Sequence, residues 1–578
     1  MEIIHKKDRD GEHVYIPELK DLYRKGRISR REFLRNATLL GMGFASASAF
    51  LAACGPAEEP TEAPTAAAAP EATAVPEPTE VPAPAGPTRG GTLRIASQIQ
   101  KVTHPAQFSW VSPSNQLRQV AEYLTVTDGQ NVTYPWLLDN WQASDDLLTW
   151  TLNLRQGVMH NNGDEFNADD VVFTMKEWLN EDVGSSMLGL IGAYLSADNI
   201  EKVDDYTVVL HLDQAEIAVP EHLFHYPALV LNHRTFEGDF LKAPHGTGPY
   251  TLDSYSEGER VLLKRRTDYY RNGEDGDPLP YLDELEFLEM GSEVSAWTAA
   301  IQSGEVDYFD NGDFGPPDMY LALKDDGNVT IVASPTAITR VLRMRVDLEP
   351  WTDNNVRKAL KLCQNREKIL NLAYFGEGLQ GQDFHVYPNH PEYCDMPIPA
   401  YDPDQAKQLL ADAGYPDGLD ITLAVGSGWP EVVSYAEILK EDAAPAGFNI
   451  TLNTMPNSQY WEQWTEVDLG ITPWTHRPLG TMVLNLAYVA DSEGNPVPWN
   501  ESRWVDSEFS ELLVQANGTL DVEARREIMC QLQQIQLDRG SIGISYWMNT
   551  WLYHRNNIHG AKAHPTNYML MNDVWKDA

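Results

Sequence analysis

The sequence predicts an α/β protein of several lobes, carried behind an export leader and a tether. Three observations lead there. Residues 89–578 interleave period-two and period-3.6 hydrophobic patterns over 490 positions, more than one small core can hold. Residues 55–88 contain nine Pro, six Glu and no basic residue. Between leader and tether stands Cys54, preceded by Leu51-Ala52-Ala53.

The leader comes first. Ser29-Arg30-Arg31-Glu32-Phe33-Leu34-Arg35 precedes an uncharged run from Asn36 to Ala53. Ser, Thr and Gly interrupt that run, whereas a bilayer-spanning helix needs roughly 20 strongly apolar residues. It reads as a processed signal ending in a lipidation site at Cys54. The arginine pair is similar to the signal of the twin-arginine (Tat) export pathway. Residues 1–53 are therefore assigned to a Tat-type lipoprotein signal peptide. Residues 54–88 are assigned to a lipid-anchored, disordered Pro/Ala/Glu linker, because such a composition cannot bury apolar surface. At about 3.1 Å per residue it reaches up to roughly 100 Å. Two or more acyl chains on Cys54 suffice for stable anchoring. The expected location is the extracytoplasmic (periplasmic) side, on the outer face of the cell membrane.

Beyond residue 53 the chain carries 33 basic and 78 acidic residues, a net charge of −45. That excludes nucleic acid as a partner and disfavours lying flat on anionic lipid. Cys363, Cys394 and Cys530 contain no CxxC pair, so no zinc or redox motif is expected. Cys363 and Cys530 fall in helical patterns and read as core residues. One disulfide among the three is allowed outside the cell, and the sequence leaves its pairing open.

The elements of the body follow in order. Leu148, Trp150, Leu152 and Leu154 alternate as a half-buried strand requires, and Tyr206, Val208, Leu210 and Leu212 repeat the pattern. Asn167 caps a helix with Val171, Met175 and Leu179 on its apolar face. Val356, Ala359, Leu360 and Cys363 form a second helical stripe. Asp402-Pro403-Asp404-Gln405 opens a third helix, which Gly414 and Pro416 close. A last helix begins near Asp521 and is expected to bury Ala524, Ile528, Leu532 and Ile535. Gly163, and Gly246 with Gly248 and Pro249, read as tight turns.

Seven local sequences now stand in a known order. They are Gly90-Gly91-Thr92-Leu93; Leu148–Leu152 leading through Leu154–Val158 to Asn162–Val171; Gly246-Thr247-Gly248-Pro249-Tyr250; Arg266–Arg271; Ile301–Asp307; Asp353–Glu367; and Tyr401–Gly418. Together they resemble the extracellular solute-binding proteins of ABC importers, family 5, which includes the oligopeptide- and dipeptide-binding lipoproteins. The resemblance covers about residues 90–560. It implies a periplasmic-binding-protein-like fold of type II (cluster C), two lobes around a ligand cleft with an extra inserted domain. Lobe 1 would comprise residues 89–125, 245–335 and 545–578, the inserted region 126–244, and lobe 2 residues 336–544. The chain would cross between lobes near Thr336–Arg345 and Ile542–Leu552.

The same resemblance points to ligand-contacting residues. Peptide binders of the family carry a Trp in the second lobe, followed three residues later by an Asp that pairs with the peptide's amino terminus. Here the segment reads Trp474-Thr475-His476-Arg477, with the sign reversed. A guanidinium fits a carboxylate, a phosphate or vicinal hydroxyls, and cannot hold an ammonium. Arg345 stands where the family usually has Asn. Phe108 and Trp110 follow the first strand, Trp429 follows a later one, and Trp547 lies near the second crossing; aromatic faces suit sugar rings and peptide side chains alike. For these aromatics packing in the core is the alternative role, and for Arg477 it is pairing with an acidic neighbour to support the loop. No catalytic motif is found: His222 and His225 beside Glu221 lack the HExxH order, and Asp307, Asp310 and Asp313 lack that of an EF-hand. No metal and no cofactor are expected.

The implied function is a lipid-anchored extracytoplasmic substrate-binding protein, a monomer that captures a peptide-like solute and delivers it to the permease and ATPase subunits of an importer. An oligosaccharide or an anionic solute is the alternative ligand. An exported hydrolase or a sensory ligand-binding protein is the alternative role.

Overall fold

Period-two alternation becomes strand, and the strands assemble into one large sheet and smaller ones. The computed structural model describes residues 86–291, 293–310, 317–491 and 493–577; the signal peptide, Cys54 and the linker to residue 85 lie outside them. β1 (Thr92–Ser97) opens the body. β2 (Thr125–Thr127) and β3 (Thr133–Pro135) form a short antiparallel pair. β4 (Leu138–Ala143), β5 (Thr149–Leu154), β6 (Ile200–Asp204) and β7 (Thr207–His211) make a separate sheet in the order β4-β5-β7-β6. In β5, Trp150, Leu152 and Leu154 are buried while their neighbours are half-buried, the pleat's two faces meeting core and surface. Leu148 falls one residue short of this strand and is exposed.

The large sheet adds β8 (Tyr250–Ser256), β9 (Arg260–Arg265), β10 (Glu284–Glu289) and β11 (Tyr308–Phe309). It then takes β12 (Val329–Met344), β13 (Gly378–Gln380), β14 (Leu419–Gly426), β15 (Phe448–Met455), β16 (Leu469–Trp474) and β17 (Ile542–Arg555). Its order is β15-β14-β16-β12-β17-β11-β1-β10-β9-β8, with β13 on β17. β12 and β17 run antiparallel through the middle, from Val329↔Arg555 to Arg343↔Ile542. One side of this ribbon is built from β14–β16, the other from β1 and β8–β11.

The ribbon is covered on both faces. Leu342 packs with Val356, Leu423, Tyr435 and Phe448, and the same core runs on to Ile301 and Phe309. Val341, on the opposite face, packs with Phe384, Tyr387, Phe509 and Trp547. A third core joins Leu93 and Phe287 to Trp150 and Trp178 of the smaller sheet and its helix. Each such side chain, fully buried, contributes about 1.5–3 kcal/mol. Pro335 has no N–H for the ladder, and the register of β12 on β17 shifts between Pro335 and Thr339. Thr336 and Thr339 repair the break by donating their hydroxyls to the carbonyls of Met548 (2.6 Å) and Tyr546 (2.7 Å).

The helices follow their caps. Asn167 and Asp170 form a reciprocal capping box at Ala168–Leu179. Asp170 also meets His160 Nε2 (3.2 Å) and His233 Nδ1 (2.7 Å). Burial works against this carboxylate, but the hydrogen bonds outweigh it and hold Asp170 below the usual range.

Four sequence expectations are corrected. In the helix Val522–Arg539, Leu532 and Ile535 are buried as expected, but Ala524 is exposed and Ile528 half-buried; the buried face also takes Arg525, Met529, Gln533 and Gln536, because the first turn faces solvent. In Ala168–Leu179 it is Trp178 that is buried and Leu179 that is half-buried. Cys530 is bonded to Cys394 and half-buried, while Cys363 is the free, buried thiol among the described residues. Gly246 and Gly248 do not need a glycine's φ; a Cβ on them would lie 2.1 Å from the Val120 carbonyl oxygen and 2.5 Å from that of Gln119, so they serve close backbone approach.

Candidate functional site

The loop after β16 is where the two sides of the sheet meet. Its first residue is fixed from below: Trp474 Nε1 donates to Glu501 Oε1 (2.8 Å), and Glu501 Oε2 receives Arg343 Nε (3.2 Å). Burial pushes Glu501 up, and the Arg343 charge draws it back. His476 comes next. The shift at Pro335–Thr339 frees the Ala337 N–H from the ladder, and it donates to His476 Nδ1 (3.0 Å). With Nδ1 accepting, Nε2 carries the proton and donates to Asn131 Oδ1 (2.9 Å). Desolvation holds His476 far below the usual imidazole range, in keeping with that neutral tautomer.

Asn131 lies on the turn between β2 and β3, at φ +61°, a backbone region Asn tolerates well. Its amide nitrogen donates to the Asn389 carbonyl (3.3 Å). One side chain therefore clasps His476 with its oxygen and Asn389 with its nitrogen. Nearby, Glu392 accepts the Gly480 and Thr481 N–H groups (2.7 and 3.3 Å) at the start of the helix Gly480–Ala487. Glu221 accepts from Thr133 Oγ1 (2.8 Å). The second oxygens of Glu221 and Glu392 are buried without a hydrogen-bond partner among the described residues. Burial pushes Glu221 up to about 7, against the pull of Thr133, and the charge of Glu392 adds to the rise.

Arg477 is half-buried in this seam. Its Nη1 donates to Thr475 Oγ1 (2.8 Å) and to the His476 carbonyl (2.9 Å), and its own carbonyl accepts from His390 Nε2 (2.8 Å). No carboxylate among the described residues pairs with it. Its charge helps hold His222 and His225 below the usual imidazole range, behind the larger effect of their burial.

A second feature lies along the central ribbon. A cavity of about 300 Å³ is lined by Val294, Pro317 and Asp318 from one side, Trp429 and Glu431 from the other, and Ile338, Arg340 and Met548 on the ribbon. Arg340 Nε and Nη2 grip Glu431 Oε1 (2.8 and 2.6 Å), which fixes the cavity's wall. The size is at the lower end of ligand pockets. Thr550 lines both this cavity and a water-sized one of about 20 Å³ beside Asn567 and Tyr568.

Of the residues singled out from sequence, Trp474, Thr475, His476 and Arg477 share the seam loop, and Trp429 lines the larger cavity. Trp547 is buried against His385 and Tyr387. Phe108 is buried in the core that holds Leu93 and Trp150, and Trp110 stands 54% exposed immediately before the helix Val111–Leu117. Arg345 pairs with Asp347 (2.7 Å) and Glu466 (3.2 Å), so its charge is already answered. Sequence reasoning did not find Asn131, which looks like any turn residue, nor Arg340 and Glu431, whose pairing needs the fold.

Comparison with known proteins agrees with this architecture. The structure of HbpA2 from Haemophilus parasuis superposes with a TM-score of 0.73 at 22% identity, covering 84% of this chain and 100% of that one. The fold is that of the type II periplasmic binding proteins. The model of the bacterial extracellular solute-binding proteins, family 5, matches residues 132–495, and the chain belongs to that family. Its members bind solutes and are not enzymes. Among curated relatives, the glutathione-binding protein GsiB of Salmonella typhi is 29% identical over 328 residues, 56% of this chain and 61% of the relative's length. The di/tripeptide-binding protein 1 of Pseudomonas aeruginosa is 26% identical over 479 residues, 76% of this chain and 84% of that protein. The match thus spans less than two thirds of GsiB. Among the described residues no helix is long and apolar enough to cross a membrane.

Proposed function

We propose that this chain is the extracytoplasmic substrate-binding component of an ABC importer, taking a peptide-like solute between residues 89–335 and 545–578 on one side and 336–544 on the other. The observation that carries the reading is the cavity on the β12–β17 ribbon, walled from both sides of the sheet. Family membership and the peptide-related names of GsiB and the di/tripeptide-binding protein support the solute class. Only a ligand that binds the closed form better can shift the open–closed balance, so the solute must touch both walls. Trp429, Trp474 and Arg477 are the residues assigned to contact it, with permease and ATPase subunits receiving it.

Titrating tripeptide pools into the full chain while following Trp fluorescence and calorimetric heat tests this. Saturable binding of at least one pool is expected. Heat and fluorescence that stay flat across all pools, with an oligosaccharide panel binding instead, would move the solute to the second class.

The lipid anchor belongs to the same proposal. Replacing Cys54 with Ala is expected to release the protein from the membrane fraction; an unchanged distribution would show that something else holds it.

A further inference from the structure

A buried carboxylate in the larger cavity has one oxygen left over. Glu431 is the second residue of the helix Pro430–Ala443, which starts a short turn after the carboxyl end of β14. β14 runs parallel to β15 and β16, and in α/β sheets ligands collect beyond the carboxyl ends of such strands. Glu431 lines the cavity and is 5% exposed. Both bonds from Arg340 fall on its Oε1, and Oε2 accepts no hydrogen bond from the described residues. The second oxygens of Glu122, Glu221 and Glu392 are unpartnered too, but none of those residues lines either cavity.

The cavity's other groups favour a cation. Its charged lining among the described residues is Asp318, Arg340 and Glu431, two anions and one cation. Asp318 lies on the facing wall, in the helix Pro317–Leu323; it is exposed and makes no ion pair or hydrogen bond among the described residues. Arg340 is 3% exposed, and its remaining nitrogen, Nη1, donates to the Thr339 carbonyl (3.2 Å). Trp429 is half-buried two residues before Glu431, and Ile338 and Met548 add apolar wall. The volume of about 300 Å³ far exceeds the share of one water, about 30 Å³. Among the described residues no group of three or more His, Cys, Asp or Glu is placed to hold a metal ion.

Resting on the solute-binding reading above, we infer that the cavity receives a primary ammonium group of the solute, which donates to Glu431 Oε2 beside the Trp429 ring, with the apolar group next to the amine packed on Ile338 and Met548. A buried carboxylate oxygen without a donor is costly, and an ammonium supplies a charged one. An aromatic face adds attraction for the same cation. Asp318 contributes negative potential from the facing wall. Arg340 is a positioning residue: by occupying Oε1 it leaves Oε2 to the solute. Arg477, a cation on the seam loop, cannot take this group.

The test uses probes that do not depend on knowing the natural solute. Leucinamide joins an ammonium to an apolar side chain, and in N-acetyl-leucinamide that amine is blocked. Each is titrated into the full chain at constant ionic strength, reading the thermal unfolding midpoint. Leucinamide is expected to raise the midpoint saturably, at concentrations at least tenfold below any effect of the blocked probe. Glu431→Gln, which keeps a carbonyl for Arg340, is expected to raise the half-saturating leucinamide concentration at least tenfold, and Asp318→Asn at least threefold. If Glu431→Gln does not fold, Asp318→Asn, at an exposed position, decides together with the blocked probe. No saturable effect of leucinamide, equal action of the two probes, or leucinamide binding unchanged in the deciding variant would overturn the inference. Free and N-acetylated tripeptide pools separate it from the peptide reading. Equal saturable binding of the two pools sinks the ammonium and keeps the peptide; leucinamide binding weakened in the deciding variant, with neither pool bound, does the reverse.

Discussion

Asn131 is the residue on which the seam's geometry converges. It makes two hydrogen bonds across the seam, and its φ of +61° tolerates Gly as well as Asn. Asn131→Gly therefore removes both bonds without backbone strain. At about 0.5–1.5 kcal/mol per bond, with the buried His476 N–H left unpaired, it is expected to weaken solute binding about tenfold and to lower stability by about 1–3 kcal/mol. Calorimetry and thermal melts check both halves; unchanged affinity would show that the clasp is decorative. Arg477 stands out in the sequence because an Arg is found where peptide binders of the family carry Asp, and the structure adds that no carboxylate among the described residues pairs with it. Trp547 shows the opposite: an aromatic near a crossing strand looked available, and it is buried against His385 and Tyr387.

At the scale of elements, the helix Val522–Arg539 is bracketed to the segment before it in chain space. Gln533 exchanges two hydrogen bonds with the Cys394 backbone (2.7 and 3.0 Å), and Cys530 bonds Cys394 across 136 positions. Closing so long a loop restricts the unfolded chain, a contribution of about 2–4 kcal/mol. Cys530→Ser is expected to lower stability by that amount in urea titrations while leaving solute affinity within twofold. A loss of affinity without loss of stability would place the bridge in the binding site. Which cysteines pair could not be read from spacing, because it depends on where residues 381–402 lie against this helix. The strand patterns were more legible, since alternation survives folding directly. The break at Pro335–Thr339 was not foreseen, although a Pro within a strand pattern signals one, and it is this break that gives His476 its partner at Ala337.

For the molecule as a whole, acid is the informative perturbation. Burial holds His222 and His385 down to about 3 and His564 to about 4, and holds His225 and His476 well below the usual range. The unfolded chain takes up these protons below pH 6.5 and the folded chain does not, so stability falls as pH drops from 6.5 toward 4. Burial also pushes Glu216 and Glu221 up to about 7, so the folded chain binds two protons between pH 7 and 4.5 that the unfolded chain refuses. These two act in the opposite direction but are outnumbered. A net loss of at least about 1.4 kcal/mol per pH unit is expected near pH 5.5. Urea midpoints at pH 7.0 and 5.5 check the sign; a higher midpoint at pH 5.5 would mean the histidines are not held neutral. The lobed α/β architecture was legible from length and mixed periodicity, whereas the closeness of its two sides was not, because contacts such as His476 to Asn131 join positions 345 residues apart. A solute bound between those sides is expected to draw them together. Small-angle X-ray scattering of the full chain, with and without a tripeptide pool shown by calorimetry to bind, tests it most directly. A smaller radius of gyration with solute bound is the predicted result; identical scattering curves at saturation would contradict it.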